Sequence, residues 1–381
     1  MSIHRVFIFV FAALSSFYLT ASARAADFDP GETPPYATAI LIEAESGTIL
    51  FAYNADVQRS PASTQKLLLE LVTMKMIESG KFSLRDSVHV SARASRTGGS
   101  QVFLAQGEVF PIEELLEAVA IPSANDACVA LAEHIGGSVE GFVTMMNDQA
   151  QRLGLEHTHS VNVHGLDDTA MDNRNLTTAY DLSQIARALL QYPKVLEWSS
   201  TRYKPFRNGE FMLYSTNKLL GKFPGIDGLK TGYTKRAGSC LVATATRHEM
   251  RLISVILGAR SEGQRNRETR RLLSWGFNNF SRVPVVQAGE FMGKVTLDWG
   301  LEPDVRALVP ETIMAVLSPD QEKSLMRQLD LPKELPAPIV EGSELGRLKI
   351  SLGDSLLAEV AVVAEKSVGR MGMWEKLMSY F

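Results

Sequence analysis

The amino-acid sequence predicts an α/β (α+β) protein with a helical subdomain, followed by a small, mostly-β C-terminal domain. Three features carry that expectation. Apolar runs at 39–42 and 48–51 are joined through Glu45-Ser46-Gly47, and longer β-rich runs at 237–247 and 250–258 are joined at Arg247-His248-Glu249; both pairs read as hairpins. Between them, residues 83–190 are mostly helical in spacing. Beyond Val283-Pro284-Val285 a period of two takes over: Val295, Leu297 and Trp299, then Leu348, Ile350 and Leu352 around Lys349 and Ser351.

With 381 residues the chain is too long for one typical core, so about two domains are expected. Hydrophobic residues make up 45% and charged residues 22%, an ordinary globular balance. The net charge of -4 gives no electrostatic case for a nucleic-acid partner. Residues 1–25 read as a secretory signal: His4 and Arg5, an apolar stretch from Val6 to Leu19, then Ala23-Arg24-Ala25 as a small-x-small cleavage site. The competing reading, a membrane anchor, needs a longer apolar stretch of about 20 residues.

The stretch that organises the chain is Pro61-Ala62-Ser63-Thr64-Gln65-Lys66, which opens the apolar run from Leu67 to Val72. Pro61 suits a helix start, because its missing N–H is not needed there. Positions i and i+3 share a helix face, so the Lys66 ammonium can reach the Ser63 hydroxyl. A serine is a poor nucleophile until its proton is taken, and a lysine can take it once burial or a nearby cation lowers its pKa. The run stays apolar on nearly all sides to Ile77 and ends at Gly80, the signature of a buried helix. The helices that follow are expected at 113–120, 125–135 and 139–153. Another begins after Asn175 with Thr177 or Thr178 as cap, and one more spans 267–280.

Ser-x-x-Lys alone is weak evidence, but Ser123-Ala124-Asn125 and Lys230-Thr231-Gly232 follow in order. The three together resemble the signature set of penicillin-binding proteins and serine β-lactamases. The wording of Ser123 to Ala132, Asp227 to Thr234, Ala237-Gly238 and Gly258-Ala259-Arg260 with Arg265 is similar to the D-alanyl-D-alanine carboxypeptidases, the low-molecular-mass penicillin-binding proteins. One departure is Gln65, where that family usually has threonine.

The resemblance implies a penicillin-binding/β-lactamase-like transpeptidase fold over 26–282, with the small β domain at 283–366. It implies Ser63, Lys66 and Ser123 as catalytic residues, and Asn125, Lys230, Thr231, Gly232, Tyr233 and Arg265 as substrate-binding ones. Ser63 would attack a peptidoglycan stem peptide, Ser123 would relay a proton to the leaving amine, and backbone N–H groups of Ser63 and Tyr233 would form the oxyanion hole. Thr231 and Arg265 would receive the substrate carboxylate, and β-lactams would act as covalent inhibitors. No metal or cofactor is called for: His157 and His159 have chelating spacing but no third ligand. A DD-endopeptidase, a serine β-lactamase and a non-catalytic penicillin-binding scaffold stay open as alternatives, although no Glu-x-x-Leu-Asn stretch of the class A β-lactamases is present.

Cys128 and Cys240 are read as small buried hydrophobes, with a pairing between them left open. In the last segment, 367–381, Met371, Trp374, Met378 and Phe381 share one helix face. That face suits either a membrane interface or the protein's own β domain, and the resemblance favours the membrane. The expected location is the periplasmic face of the inner membrane.

Overall fold

The structure is a computed structural model that describes residues 28–167 and 174–378. The leader expected at 1–25 and Phe381 lie outside those residues. The described chain falls into two compact units, one ending at Arg282 and the other starting at Val283.

The first unit is built on a five-stranded antiparallel sheet. Its strands are β1 (Thr38–Glu43), β2 (Ile49–Tyr53), β3 (Ile226–Thr234), β4 (Gly238–Arg247) and β5 (Met250–Ala259). The order is β2-β1-β5-β4-β3, so the hairpin from the start of the unit pairs with the one near its end. β1 is buried at every residue, as a central strand covered on both faces must be. β3 forms one edge, and its outer side is free to line a cleft.

Ser63 does not sit in an α-helix. Residues Ala62–Gln65 form a 3-10 turn, and the α-helix α1 runs from Lys66 to Glu78. Residues i and i+3 eclipse in a 3-10 turn, which brings Ser63 and Lys66 more squarely onto one side than an α-turn would. α1 is buried from Lys66 to Met74, and its leucines enter the main core with Phe142, Leu182 and Val255. It stops at Ser79 and Gly80, with Gly80 at φ 74°.

The helical lobe is carried by α2 (Ile112–Ala120), α3 (Asn125–Gly136), α4 (Val139–Arg152) and α5 (Ala179–Leu189). Thr178, not Thr177, caps α5, its hydroxyl accepting from the Asp181 N–H. The lobe also holds a short hairpin, Ser87–His89 with Val109–Pro111, that the helical spacing does not reveal. α6 begins at Glu262, five residues before the expected start, and ends at Asn279. Ser261 caps it by accepting from the Gln264 N–H.

The second unit is mostly β. Its main sheet holds β6 (Phe291–Asp298), β7 (Asp304–Leu308), β8 (Leu325–Asp330), β9 (Glu334–Pro336), β10 (Glu344–Leu352) and β11 (Ser355–Ala364), in the order β8-β10-β11-β7-β6-β9. Val295, Leu297, Leu348, Ile350, Val360 and Val362 point into its core while their neighbours face outward, as the period of two predicts. A short helix, α7 (Met373–Met378), ends the described chain. Met371 precedes it, so the apolar face differs from the expected one: Met373, Trp374, Leu377 and Met378 are its exposed large groups.

Candidate active site

The start of α1, the start of α3 and the edge strand β3 converge. Lys66 Nζ lies 2.8 Å from Ser63 Oγ and donates to the His164 carbonyl at 2.9 Å. Lys66 is fully buried, and that burial holds its ammonium below the ordinary lysine pKa. A lowered pKa makes it easier for this amine to shed its proton and then take one from the adjacent hydroxyl.

The loop 161–166 that supplies the His164 carbonyl is folded by asparagines. Asn162 Oδ1 accepts from the His164 and Gly165 N–H groups at 3.3 and 2.8 Å. Asn175 Oδ1 accepts from the Val161 and Asn162 N–H groups. Gly165 has φ 82°, and a Cβ there would collide with the Ala62 carbonyl, so glycine is what lets this loop close over the Ser63 turn.

Ser123 and Asn125 stand at the start of α3. Ser123 has φ 69°, a left-handed conformation uncommon for a residue with a side chain. The adjoining Asp126 carboxylate holds this turn by accepting from the Val102, Leu104 and Ala127 N–H groups. Asn125 donates to the Gly98 carbonyl at 2.8 Å. Ser123 Oγ and Asn125 Oδ1 are buried and make no hydrogen bond to any described residue. Buried polar atoms are nearly always paired, so these two are available to a third party.

On β3, Lys230 is 1% exposed and its Nζ has a long contact, 3.3 Å, to the Thr231 carbonyl. Burial, and then the Lys66 charge, lower its pKa. Thr231 Oγ1 donates to Thr216 Oγ1 at 2.6 Å. A Cβ on Gly232 would come within 3.0 Å of the Ser63 and Thr64 nitrogens, so the strand passes directly beside the nucleophile's backbone. Tyr233 is exposed at the next position. Arg265 lies on α6 with its guanidinium buried, donating to Asn266 Oδ1 and the Cys240 carbonyl. Since Cys240 pairs with Gly232 across the sheet, Arg265 belongs to the same wall but points at protein acceptors. Cys128 and Cys240 are both free and buried.

Sequence reasoning missed four contributors. Gln65 bonds the Asn162 carbonyl and Asn175; the His164 carbonyl receives Lys66; Thr216 orients Thr231; and Glu70 is buried on α1 one turn beyond Lys66. The i+4 spacing from Lys66 to Glu70 was the available signal for the last.

Fold and site together define a serine-type hydrolase with a buried amine beside its hydroxyl. A family model described as D-alanyl-D-alanine carboxypeptidase matches residues 33–261, and one for the C-terminal domain of penicillin-binding protein 5 matches 280–370. The D-alanyl-D-alanine carboxypeptidase DacF of Bacillus subtilis is 33% identical over 339 residues, covering 88% of this chain and 86% of that one. Penicillin-binding protein 5 from Haemophilus influenzae superposes with a TM-score of 0.74 at 31% identity, over 89% of this chain and all (100%) of that one. Penicillin-binding protein D2 from Listeria monocytogenes, solved in its ampicillin-bound form, superposes at 0.59 with 30% identity over 65% of this chain and 100% of its own. The chain belongs to the D-alanyl-D-alanine carboxypeptidase family. It is a penicillin-binding, serine-type D-Ala-D-Ala carboxypeptidase with a penicillin-binding protein 5-like C-terminal β domain.

Proposed function

We propose that the protein removes the terminal D-alanine from peptidoglycan stem pentapeptides through an acyl-enzyme on Ser63. Lys66 takes the hydroxyl proton as Ser63 Oγ attacks the carbonyl between the last two D-alanines. The C–N bond then breaks, and the leaving amine receives a proton through Ser123, with Lys66 or Lys230 behind it. Water hydrolyses the ester, returning the Ser63 hydroxyl and releasing the shortened peptide. Asn125 holds the substrate's peptide group, Thr231 and Lys230 face its carboxylate, and backbone N–H groups of Ser63 and Tyr233 form the oxyanion hole. Each such donor is worth about 10²–10³ in rate. Arg265 has the weaker claim on the carboxylate, because its donors already have protein acceptors.

The observation that carries this reading is the 2.8 Å contact between a fully buried lysine amine and Ser63 Oγ. β-Lactams enter the same site and acylate the same oxygen. The test is mass spectrometry after benzylpenicillin treatment: the adduct maps to the Ser63 peptide and disappears in Ser63→Ala. An adduct elsewhere overturns the assignment. Incubation with a pentapeptide ending in D-Ala-D-Ala releases one D-alanine; release only from cross-linked dimers makes the enzyme an endopeptidase instead.

The same proposal includes export under the 1–25 leader and work at the periplasmic face of the inner membrane, held there by the C-terminal tail. The support is the leader's residue pattern and the exposed apolar side chains of α7.

A further inference from the structure

Glu70 is a buried titratable group that the mechanism above leaves unused. It lies on α1 at i+4 from Lys66, so the two share one face of the helix, just beyond the 3-10 turn that carries Ser63. It is 1% exposed, among Leu67, Leu68, Leu69 and Leu71. Its Oε1 is buried and accepts no hydrogen bond from any described residue. A carboxyl in that state is costly, and a further leucine would pack the same helix face without the cost. Its presence therefore needs a compensating reason.

The reason is charge. Burial, the largest influence, raises the Glu70 pKa to about 7, and the Lys230 charge on β3 and then the Lys66 charge on α1 pull it back down. Cys128, on α3, is the remaining titratable neighbour; burial pushes its thiol up to about 12, so it is neutral. Asp126, also on α3, acts on Lys66, and Arg265, on α6, acts on Lys230. The centre of the cluster is thus two amines and one carboxyl, enclosed where charge interactions are strong.

We propose that Glu70 is the counter-charge of the Lys66–Lys230 pair, a positioning residue that allows Lys230 to stay cationic while Lys66 is neutral. This rests on the reading of Lys66 as the base. With Glu70 ionised, one proton on Lys230 makes the cluster neutral overall. A second proton on Lys66 would leave a net positive charge, so Lys66 is kept free to accept one from Ser63. Without the carboxylate, burial and mutual repulsion strip both amines, and the carboxylate-binding cation is lost along with the proton.

The test is the pH dependence of acylation by a fluorescent penicillin, measured by stopped flow on the full chain and on Glu70→Gln. The wild-type rate rises as Lys66 loses its proton and falls as Lys230 loses its own. In Glu70→Gln both amines lose a stabilising negative charge, so both limbs move to lower pH, by about one unit for a neighbouring charge of this kind. Glu70→Asp keeps the limbs near their wild-type positions. Limbs in Glu70→Gln that coincide with wild type, with the rate reduced by the same factor at every pH, overturn the proposal and leave Glu70 a packing residue. Should Glu70→Gln fail to fold, Glu70→Asp and Glu70→Asn, equal in size and different in charge, make the same comparison. Wild-type protein that forms no adduct at Ser63 overturns the base assignment itself, a different failure from coincident limbs.

Discussion

Gln65 Nε2 donates to Asn175 Oδ1 at 2.8 Å and to the Asn162 carbonyl at 2.6 Å. The residue immediately before the lysine is thereby tied to the loop that receives the lysine. Asn175 also accepts from the Val161 and Asn162 N–H groups, and Asn162 in turn folds the chain around His164, whose carbonyl accepts from Lys66. Glutamine at a position where the family usually has threonine is therefore an amide bridge between helix and loop.

Replacing Gln65 by leucine keeps the volume and removes the bridge. A buried acceptor left without its donor costs about 1–3 kcal/mol. The expected result is a lower melting temperature and an acylation rate reduced about tenfold as the His164 carbonyl moves off Lys66, since 1.4 kcal/mol is a factor of ten. Fluorescent-penicillin kinetics read the second effect directly. A Gln65→Leu protein that melts lower but acylates at the wild-type rate shows that the bridge only stabilises.

Lys66 and Ser63 give a sharper expectation. Lys66→Arg keeps a positive charge but cannot accept a proton, since arginine stays protonated in proteins. Acylation should fall by at least about 10², the lower range for a positioned general base. In the wild-type protein burial lowers the Lys66 pKa, and under the proposed mechanism the neutral amine is the active form. The rising limb of the rate should accordingly have its midpoint below pH 10.5, the ordinary lysine value. Normal acylation by Lys66→Arg would mean that the lysine acts as a charge and that the base lies elsewhere.

What the sequence makes legible is what is local or periodic. The buried face of α1 follows from its apolar run, and the hairpins and the β domain follow from alternation. Ser63 and Lys66 meet because three-residue spacing brings side chains together in a 3-10 turn as well as in an α-helix. The early start of α6 was hidden because residues 262–266 are polar and carry no apolar period; the Ser261 cap is its only local sign. The His164 carbonyl and Thr216 come from loops remote from the groups they orient, 98 and 15 residues away in sequence, where no periodicity operates. Glu70 was concealed in another way, as one polar letter within an apolar run.

Gly165 tests how tightly the loop closes. Its φ of 82° disfavours any side chain, and an alanine Cβ would meet the Ala62 carbonyl, which is backbone and has nowhere to rotate. Gly165→Ala should push the loop away from the Ser63 turn and take the His164 carbonyl with it. The conformational cost alone is about 1–3 kcal/mol. Both the melting temperature and the acylation rate should drop, unlike Gly80→Ala at the far end of α1. Gly80 has φ 74° with open space around it, so its substitution should lower stability and leave acylation unchanged. Equal effects of the two on acylation would remove the loop from the account of the site.

The proposal that the C-terminal tail holds the enzyme at a membrane rests on side chains that α7 leaves exposed. Met373, Trp374, Leu377 and Met378 are 80%, 82%, 55% and 71% exposed, so α7 does not bury its apolar side chains on the described β domain. The segment just before it is fastened: the Met371 N–H donates to the Trp299 carbonyl at 2.7 Å, and Arg370 pairs with Gly300 across a β-bridge. Lys376 reaches back to Asp298 at 3.3 Å and lies over the Trp299 ring. That leaves little net positive charge to attract anionic lipid, so binding should be mainly hydrophobic and resist salt. Each fully buried large side chain contributes about 1.5–3 kcal/mol, and an interface realises part of that. The measurement is flotation with lipid vesicles in high salt, comparing a chain lacking residues 1–25, the mature chain of the proposal, with the same chain ending at Gly372, which retains the Met371 and Arg370 contacts. The mature chain should float; the shortened one should stay in solution, keep its melting temperature and release D-alanine from a small peptide at the full rate. Equal flotation of the two rules the tail out as the anchor. A shortened chain that melts well below the mature one makes α7 a structural part of the β domain.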